Sequence, residues 1–193
     1  MGGAISVAYA LTYPERTRRL VLVDPLGFSA SLPWEALGHA LRNLPSLVLA
    51  AITRKTDPYL MRAISPWIFR DPWGSSYDAI TRMAFLNFAQ GFWSVGAGLR
   101  LLLVDFLSAR QRMDFLDRLA GLTLPMLVIW GRHDGMLPLS NAAAGLSRVP
   151  QASVKILEQS SHSAMLEQPE EFNRLVRQFI TGRRVKRKTP VAG

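Results

Sequence analysis

The chain has 193 residues, 49% of them hydrophobic and 19% charged, a composition typical of one folded domain with a sizeable core. Cysteine is absent, which excludes disulfides and thiolate zinc sites and fits the cytoplasm. Apolar runs such as residues 44–52 are too short to span a bilayer, and the first residues carry no basic segment of a signal peptide. The composition therefore predicts a cytoplasmic globular protein that does not contact a membrane.

The net charge of +9 is concentrated near the end of the chain, where residues 183–188 read RRVKRK. The rest of the chain carries +4, an ordinary value for a small domain. A basic run can bind nucleic acid or lipid headgroups, but no aromatic residue interleaves this one to stack on bases. We interpret residues 183–193 as a solvated, disordered tail and expect no nucleic-acid partner.

Three short segments have the pattern of buried β-strands. Residues 20–24 read LVLVD and residues 125–131 read PMLVIWG, two nearly continuous apolar runs. Residues 152–159, ASVKILEQ, form a third segment that alternates more. Continuous apolar runs of this length are typical of strands that are covered on both faces of a parallel sheet. Because helical patterns lie between the segments, we predict an α/β fold with helices packed on the sheet.

Helices are predicted around these strands. Residues 2–13 are small or apolar nearly all round and precede Pro14, which favours a buried helix. Residues 139–148 indicate a second helix. The last helix has Pro169 in its first turn, Gly182 at its end and one apolar face. The residues of that face are Phe172, Leu175, Val176, Phe179 and Ile180.

Residues 29–121 differ from the sequence on either side of them. They hold four of the five tryptophans, and prolines interrupt the helical periodicity repeatedly. We interpret this segment as an insertion of several short helices between two strands, with the sheet domain formed by residues 1–28 and 122–182. A separate helical domain is the alternative, but no Gly/Ser-rich linker marks either boundary.

Two loops carry residues that could do chemistry. Asp134 follows the second predicted strand, and His162 lies between the third strand and the last helix. Functional groups of open α/β sheets commonly lie just beyond the strand ends, so these two side chains can meet there. A carboxylate beside an imidazole fixes its tautomer and stabilises the imidazolium, while the imidazole accepts a proton from a nucleophile. Taken alone, a loop Asp is usually a turn former, and a lone His usually has a structural role.

Three motifs together resemble the α/β-hydrolase superfamily, whose triad runs nucleophile, acid, histidine along the chain. The family's Gly-x-x-Asp element is matched by residues 131–134, GRHD, and its Glu-x-Pro-x-x-Phe helix start after the histidine by residues 167–172, EQPEEF. Residues 1–25 are similar to the family's segment after the nucleophile elbow, which commonly reads Gly-x-Ser-Met-Gly-Gly. The resemblance covers residues 1–28 and 122–181, and residues 29–121 stand where the family has its cap.

The resemblance implies a hydrolase with a nucleophile–His–Asp triad in which Asp134 is the acid and His162 the base. It implies nucleophilic attack, an oxyanion intermediate and hydrolysis, with no metal or organic cofactor. The apolar cap would select the substrate, a small molecule. The helix segment FNRLV at residues 172–176 is similar to that of the cap-bearing meta-cleavage product hydrolases. We therefore expect a small apolar or aromatic ester or C–C bond substrate. His133 is interpreted as structural.

The sequence departs from the family in two places. Ser161 stands where a glycine commonly precedes the histidine, which affects the loop more than the chemistry. No Gly-x-Ser-x-Gly occurs in the chain, so we expect the nucleophile to be the residue before Met1, and the chain to be a C-terminal portion of the fold that is inactive by itself. The backbone N–H of Met1 would be one oxyanion-hole donor. A non-catalytic remnant or binding module, or a start site placed at an internal methionine, are the alternatives.

Overall fold

A computed structural model of the chain describes residues 2–29, 69–70 and 109–182. Predictions for Met1, for most of the cap segment and for the basic tail lie outside the described residues. The elements are, in chain order, α1 (Gly2–Thr12), a 3₁₀ turn (Pro14–Arg16), β1 (Leu20–Val23), α2 (Ala109–Leu119), β2 (Met126–Gly131), a second 3₁₀ turn (Leu139–Ala142), α3 (Ala143–Leu146), β3 (Ser153–Leu157), α4 (Ala164–Glu167) and α5 (Pro169–Thr181).

The three strands form one parallel sheet in the order β1–β2–β3. Leu20 pairs with Met126, and Leu127 pairs with Ser153. All three predicted strands are confirmed, the first two one residue shorter and the third three residues shorter than the sequence pattern. Because the strands are parallel, the carboxyl ends of all three lie at the same edge of the sheet.

The continuous apolar run of β2 is explained by its position in the sheet, where every one of its residues is buried. Successive side chains of a strand point to opposite faces, so Met126, Val128 and Trp130 face one core, while Leu127 and Ile129 face another. The first core also contains residues of α1, α2 and the segment around α3. The second contains residues of α4 and α5. The described part of the chain is therefore a helix–sheet–helix sandwich.

The prediction that the first helix is buried is wrong. Only Val7 and Ala10 of α1 are buried, while Ile5 and Tyr9 are 61% and 47% exposed. Val7 and Ala10 pack beside Leu20 and Leu22 of β1, so the helix contacts the sheet along one narrow side. A helix with small or apolar residues nearly all round has little amphipathic pattern, and its sequence does not indicate which side meets the core.

The last helix is confirmed. It begins at Pro169 and ends at Thr181, and the following residue, Gly182, adopts the left-handed conformation (φ 69°) that glycine favours at a helix end. Leu175 is buried in the second core, and Phe172, Val176 and Phe179 pack against it. Ile180 is half exposed.

Two other predicted segments differ from the structure. The single helix expected over residues 139–148 is a 3₁₀ turn followed by the short α3. Helix α2 falls inside the segment assigned to the cap, yet its Leu116 and Leu119 lie in the same core as β1 and β2. At this end of the segment, packing against the sheet domain begins before residue 122. No helix in the described ranges is long and apolar enough to cross a membrane.

Gly145 offers a direct test of the packing between α3 and the sheet. Its N–H donates to the carbonyl of Phe28 at 2.8 Å, and a Cβ there would lie 2.5 Å from the Phe28 ring. Phe28 in turn packs edge-on against Trp130. We expect Gly145→Ala to lower the free energy of unfolding by about 1–3 kcal/mol, because a close-packed core cannot absorb the added methyl. Urea denaturation measures this.

Gly2→Ala is the matched control, because a Cβ at Gly2 would meet nothing within 4 Å. Alanine there should leave stability unchanged or raise it slightly, since alanine is the better helix former. Equal stability of the two variants would contradict the described contact between α3 and Phe28.

Candidate active site

Three polar side chains meet at the carboxyl edge of the sheet. Asp24 directly follows β1, Asp134 lies in the loop after β2, and His162 lies in the loop after β3. One ligand-type atom from each lies within 4.8 Å of the others. The parallel arrangement explains this meeting, because loops that follow neighbouring parallel strands leave the sheet at the same edge.

The structure brings the two residues singled out in the sequence into direct contact. His162 Nδ1 and Asp134 Oδ2 are 2.8 Å apart, a good hydrogen-bond distance. The Asp134 side chain is completely buried, whereas the imidazole is 25% exposed. When Nδ1 carries the proton and donates a hydrogen bond to Asp134, Nε2 is left as a hydrogen-bond acceptor. Nε2 hydrogen-bonds to no residue in the described part of the chain.

Asp134 is held by the loop in which it lies. Its Oδ1 accepts hydrogen bonds from the backbone N–H groups of Met136 and Leu137, both at 2.8 Å. The indole N–H of Trp130 donates to the carbonyl of Leu137 at 2.9 Å and ties the loop to the end of β2. The buried carboxylate thus receives three donors, counting His162, and they compensate for its loss of water.

The histidine loop is held by side chains from the end of α4 and the residue after it. Glu167 accepts a hydrogen bond from the N–H of Ser161 at 2.6 Å and another from the N–H of Arg70. Gln168 accepts from the N–H of Gln159 at 2.9 Å and from the hydroxyl of Ser160 at 3.0 Å. The sequence had identified these two residues only as part of a helix-start motif. Their side chains fix the approach of the chain to His162.

Two further contacts join the loops that follow β2 and β3. The N–H of His133 donates to the carbonyl of Ser160 at 2.9 Å, so His133 contributes to this contact through its backbone. The guanidinium of Arg132 makes a two-pronged ion pair with Glu158, at 2.9 and 2.7 Å. Hydrogen bonding to Arg132 lowers the pKa of Glu158. The side chain of His133 is exposed and takes no part in the acid–histidine contact.

Gly131 allows the two loops to come this close. A Cβ at this position would lie 2.7 Å from the carbonyl carbon of Ser161 and 2.8 Å from the carbonyl oxygen of Ser160. Both are backbone atoms of the histidine loop, so they cannot swing aside as the tip of a side chain could. The glycine of the GRHD element therefore sets the separation between Asp134 and His162.

Asp24 is a site residue that the sequence analysis missed. It is 3% exposed, and its Oδ1 accepts a hydrogen bond from the N–H of Gly131 at 2.8 Å. Its other oxygen, Oδ2, is buried without a hydrogen-bond partner among the described residues. The signal was present, since Asp24 ends a buried strand as Asp134 follows one. The sequence pattern by itself indicates only that Asp24 ends this strand.

Burial and charge shift the proton affinities at the site. Burial, followed by the charge of Asp134, raises the pKa of Asp24 from 3.8 to about 7, against the opposing effect of the Gly131 N–H. Burial works against the charged form of His162, but the hydrogen bond and charge of Asp134 and the charge of Asp24 outweigh it and raise its pKa. Burial also raises the pKa of Glu167, partly offset by the N–H groups of Arg70 and Ser161.

The same three residues have ligand types that could hold a metal ion. Their atoms are already committed: Asp134 uses both oxygens, His162 uses Nδ1 on Asp134, and Asp24 uses Oδ1 on Gly131. A metal bound between them would have to replace the contact between Asp134 and His162. The bonding present fits a proton-transfer pair better than a set of metal ligands.

The beginning of α1 lies next to this site. A Cβ on Gly3 would be 2.9 Å from the Cβ of Pro25, the residue after Asp24. The first turn of the helix therefore packs against the strand end that carries Asp24. Met1, predicted as an oxyanion-hole donor, lies outside the described residues.

A parallel sheet covered by helices on both faces, with a carboxylate–imidazole pair at its carboxyl edge, defines an α/β protein with its site at the strand ends. The family model of the α/β-hydrolase fold matches residues 1–169 of this chain. The chain therefore belongs to the α/β-hydrolase family.

Characterised relatives and solved structures are similar over most of this chain. A 2-hydroxy-6-oxo-6-phenylhexa-2,4-dienoate hydrolase from Burkholderia cepacia is 27% identical over 93% of this chain and 60% of its own length. A pimeloyl-[acyl-carrier protein] methyl ester esterase from Aeromonas salmonicida is 28% identical over 93% of this chain and 67% of its own. The crystal structure of a serine hydrolase from Cycloclasticus zankles superposes with a TM-score of 0.60 at 21% identity, covering 94% of this chain and 62% of that one. The chain spans about 60% of the length of the first of these relatives.

Gly131→Ala should separate the acid from the histidine. The added methyl meets backbone on the histidine loop, so we expect a loss of about 3 kcal/mol of unfolding free energy and a displaced His162. Thermal denaturation measures the first effect. An NMR titration of the imidazole measures the second, because the His162 pKa should fall when Asp134 no longer contacts it.

Gly121→Ala is the control, since that glycine is exposed and its nearest contact, at 3.3 Å, is the carbonyl of Arg118. An unchanged His162 titration in a folded Gly131→Ala protein would show that the glycine does not set the geometry of the pair.

Proposed function

We propose that this chain supplies the acid, Asp134, and the base, His162, of an α/β-hydrolase that cleaves small apolar or aromatic esters or C–C bonds. The observation that carries the proposal is the 2.8 Å contact between His162 Nδ1 and a buried Asp134 oxygen. Membership of the α/β-hydrolase family supports the reaction class.

The geometry assigns a distinct part to each side of the imidazole. Nδ1 donates to Asp134, which fixes the tautomer and stabilises the ring when it becomes charged. Nε2 is then the atom that accepts the proton of the nucleophile and returns it to the leaving group. In the hydrolysis step it accepts a proton from the attacking water and returns it to the nucleophile. The partial exposure of His162, beside a buried Asp134, is what such a role requires, because substrate must reach only the base.

The proposed nucleophile is the residue that precedes Met1. The 193 residues contain no Gly-x-Ser-x-Gly, and residues 1–3, MGG, match the last positions of the family's Gly-x-Ser-Met-Gly-Gly pattern. The packing of Gly3 against Pro25 supports this placement, since it brings the beginning of α1 to the sheet edge of Asp134 and His162. The positive end of the α1 dipole would also favour an oxyanion there.

The substrate class rests on the relatives. One is named for hydrolysis of a phenylhexadienoate, and another for hydrolysis of a methyl ester. The segment at residues 29–121, rich in apolar and aromatic residues, supports an apolar pocket. The cap assignment of that segment, the cytoplasmic location and the lack of nucleic-acid and membrane partners remain predictions.

A non-catalytic remnant or binding module is the second candidate. Within the 193 residues, which contain no Gly-x-Ser-x-Gly, the acid and the base have no nucleophile to activate. The genomic sequence upstream of the Met1 codon separates the two candidates. An open frame that encodes an apolar strand ending in Gly-x-Ser would support the hydrolase, and a stop codon directly upstream would support the remnant.

Substitutions of the pair test the hydrolase in the protein extended by that upstream segment. With an activated ester such as p-nitrophenyl acetate, His162→Ala should lower kcat by about 10²–10⁴-fold or more, because the general base is lost. Asp134→Asn keeps the shape but removes the charge that holds the tautomer, a loss on the order of 10⁴-fold in the serine-protease precedent. The double variant should be little worse than the worse single one, because members of a triad act as a unit.

His133→Ala is the control, since the backbone N–H of His133 makes its contact with Ser160 and remains in the variant. It should retain nearly the full rate. The 193-residue chain by itself should show no His162-dependent turnover. A His162→Ala enzyme at the full rate would refute the assignment of the base, and ester hydrolysis by the chain alone that depends on His162 would refute the placement of the nucleophile.

A further inference from the structure

We propose that Asp24 is a positioning residue of the acid–histidine pair: its buried carboxyl shares a proton with Asp134 and, on losing that proton, strengthens the hold on the imidazolium of His162. The inference deepens the proposed function and rests on it, because it assigns a second carboxyl to the same site.

The first observation is the unsatisfied oxygen. Asp24 Oδ1 accepts the N–H of Gly131, while Oδ2 is buried and receives no hydrogen bond from the described residues. Asp134, with both oxygens acting as acceptors, lies in the same 4.8 Å cluster. Two acceptor groups that face each other away from water repel unless a proton lies between them. A neutral Asp24 that donates to Asp134 removes the repulsion and satisfies the buried oxygen.

The second observation is the backbone. Asp24 adopts φ 42°, in the left-handed region, and is the sole residue other than glycine with positive φ in the described part of the chain. Such a conformation costs of order 1 kcal/mol or more and persists where the surroundings enforce it. Here it directs the carboxyl to the Gly131 N–H and the two other site residues, while Gly3 packs on the next residue, Pro25.

The charged groups around Asp24 agree with this role. The charge of Asp134, from the loop after β2, raises the pKa of Asp24, and that of His162, from the loop after β3, lowers it. From the α1 side, Gly3 packs on Pro25, and the charge of the N-terminal ammonium lowers the pKa of His162. At the end of α4, the charge of Asp134 also contributes to the raised pKa of Glu167. The charge of Asp134 has a larger effect on the pKa of Asp24 than the charge of His162. Together with burial, it keeps Asp24 protonated up to about pH 7.

The protonation state of Asp24 decides how many negative charges face His162. When Asp24 is protonated, Asp134 holds the single negative charge opposite the imidazole. Above pH 7 the proton of Asp24 passes to solvent, and two carboxylates then face one imidazole. The extra charge raises the proton affinity of His162, so the two groups titrate as a coupled set.

The test is an NMR titration of the His162 imidazole in the 193-residue chain, which needs no nucleophile. Asp24→Asn is nearly isosteric, tolerates positive φ and retains an oxygen for the Gly131 N–H. The wild type should show a titration of His162 with a second inflection near pH 7. Asp24→Asn should show a single inflection at a lower pKa, and Asp134→Asn a larger decrease. Asp117→Asn, at an exposed partner of Arg148, is the matched control and should leave the curve unchanged.

A second measurement keeps the proposal testable if the imidazole signal is broadened. The folded wild type binds the Asp24 proton more tightly than the unfolded chain, so the contribution of Asp24 to stability must fall as pH rises from about 4 to about 7 and then level off. Asp24→Asn lacks this loss. Its melting temperature relative to the wild type should therefore increase across that window and stay constant above it.

The outcomes distinguish the two proposals. If neither Asp134→Asn nor Asp24→Asn moves the His162 titration, the acid–histidine pair and the proposed function both fail. If Asp134→Asn lowers the His162 pKa but Asp24→Asn does not, only the role of Asp24 fails. An Asp24→Asn protein that is destabilised equally at pH 4 and pH 8 would also overturn the shared proton, since the Asp24 carboxyl would then be purely structural.

Discussion

The structure of the site depends on the completely buried carboxylate of Asp134. A charge in that position is tolerated only when donors surround it, and two backbone N–H groups and the imidazole of His162 provide them. Each donor depends on a particular loop geometry. The two N–H groups reach Asp134 only in the tight loop that Trp130 holds against the end of β2. The imidazole reaches it only when the loop after β3 lies close to the loop after β2.

The close approach of the loops is therefore a consequence of electrostatics as much as of packing. Gly131 leaves the space, the N–H of His133 links to Ser160, and Glu167 and Gln168 hold the remaining N–H and hydroxyl groups of the histidine loop. The polar residues of the helix-start motif thus affect the position of His162 at a distance, by fixing the backbone that carries it. Glu167 also accepts the N–H of Arg70, so the same side chain reaches the segment assigned to the cap.

The position of Asp24 gives the site two carboxyls opposite one imidazole. Burial of a second carboxylate beside the first would be costly, and the raised proton affinity of Asp24 reflects that cost. Family membership follows from the residues matched along the chain, whereas the electrostatic arrangement is particular to the side chains at these strand ends. The chain spans about 60% of the length of relatives such as the phenylhexadienoate hydrolase, and the activity assigned to the whole protein is a proposal.

The sequence by itself determined the three strands, the last helix and the loops that carry Asp134 and His162. These features follow from local patterns: apolar runs that must be covered on both faces, a 3.6-residue apolar period and Pro and Gly at helix ends. The order of the strands along the chain then implied that the two loops share one edge of the sheet. Residues near Met1 and in the cap segment lie outside the described structure, so those predictions stand as they were made.

The tertiary structure alone decided the exposed side of α1, the division of residues 139–148 into two short helical segments and the place of Asp24. The reason is that each depends on partners far along the chain. Asp24 and Gly131 are 107 positions apart, and only the pairing of β1 with β2 brings them together. Whether an apolar helix is covered, and whether a strand-end carboxyl meets a second one, is set by neighbours that no local pattern specifies.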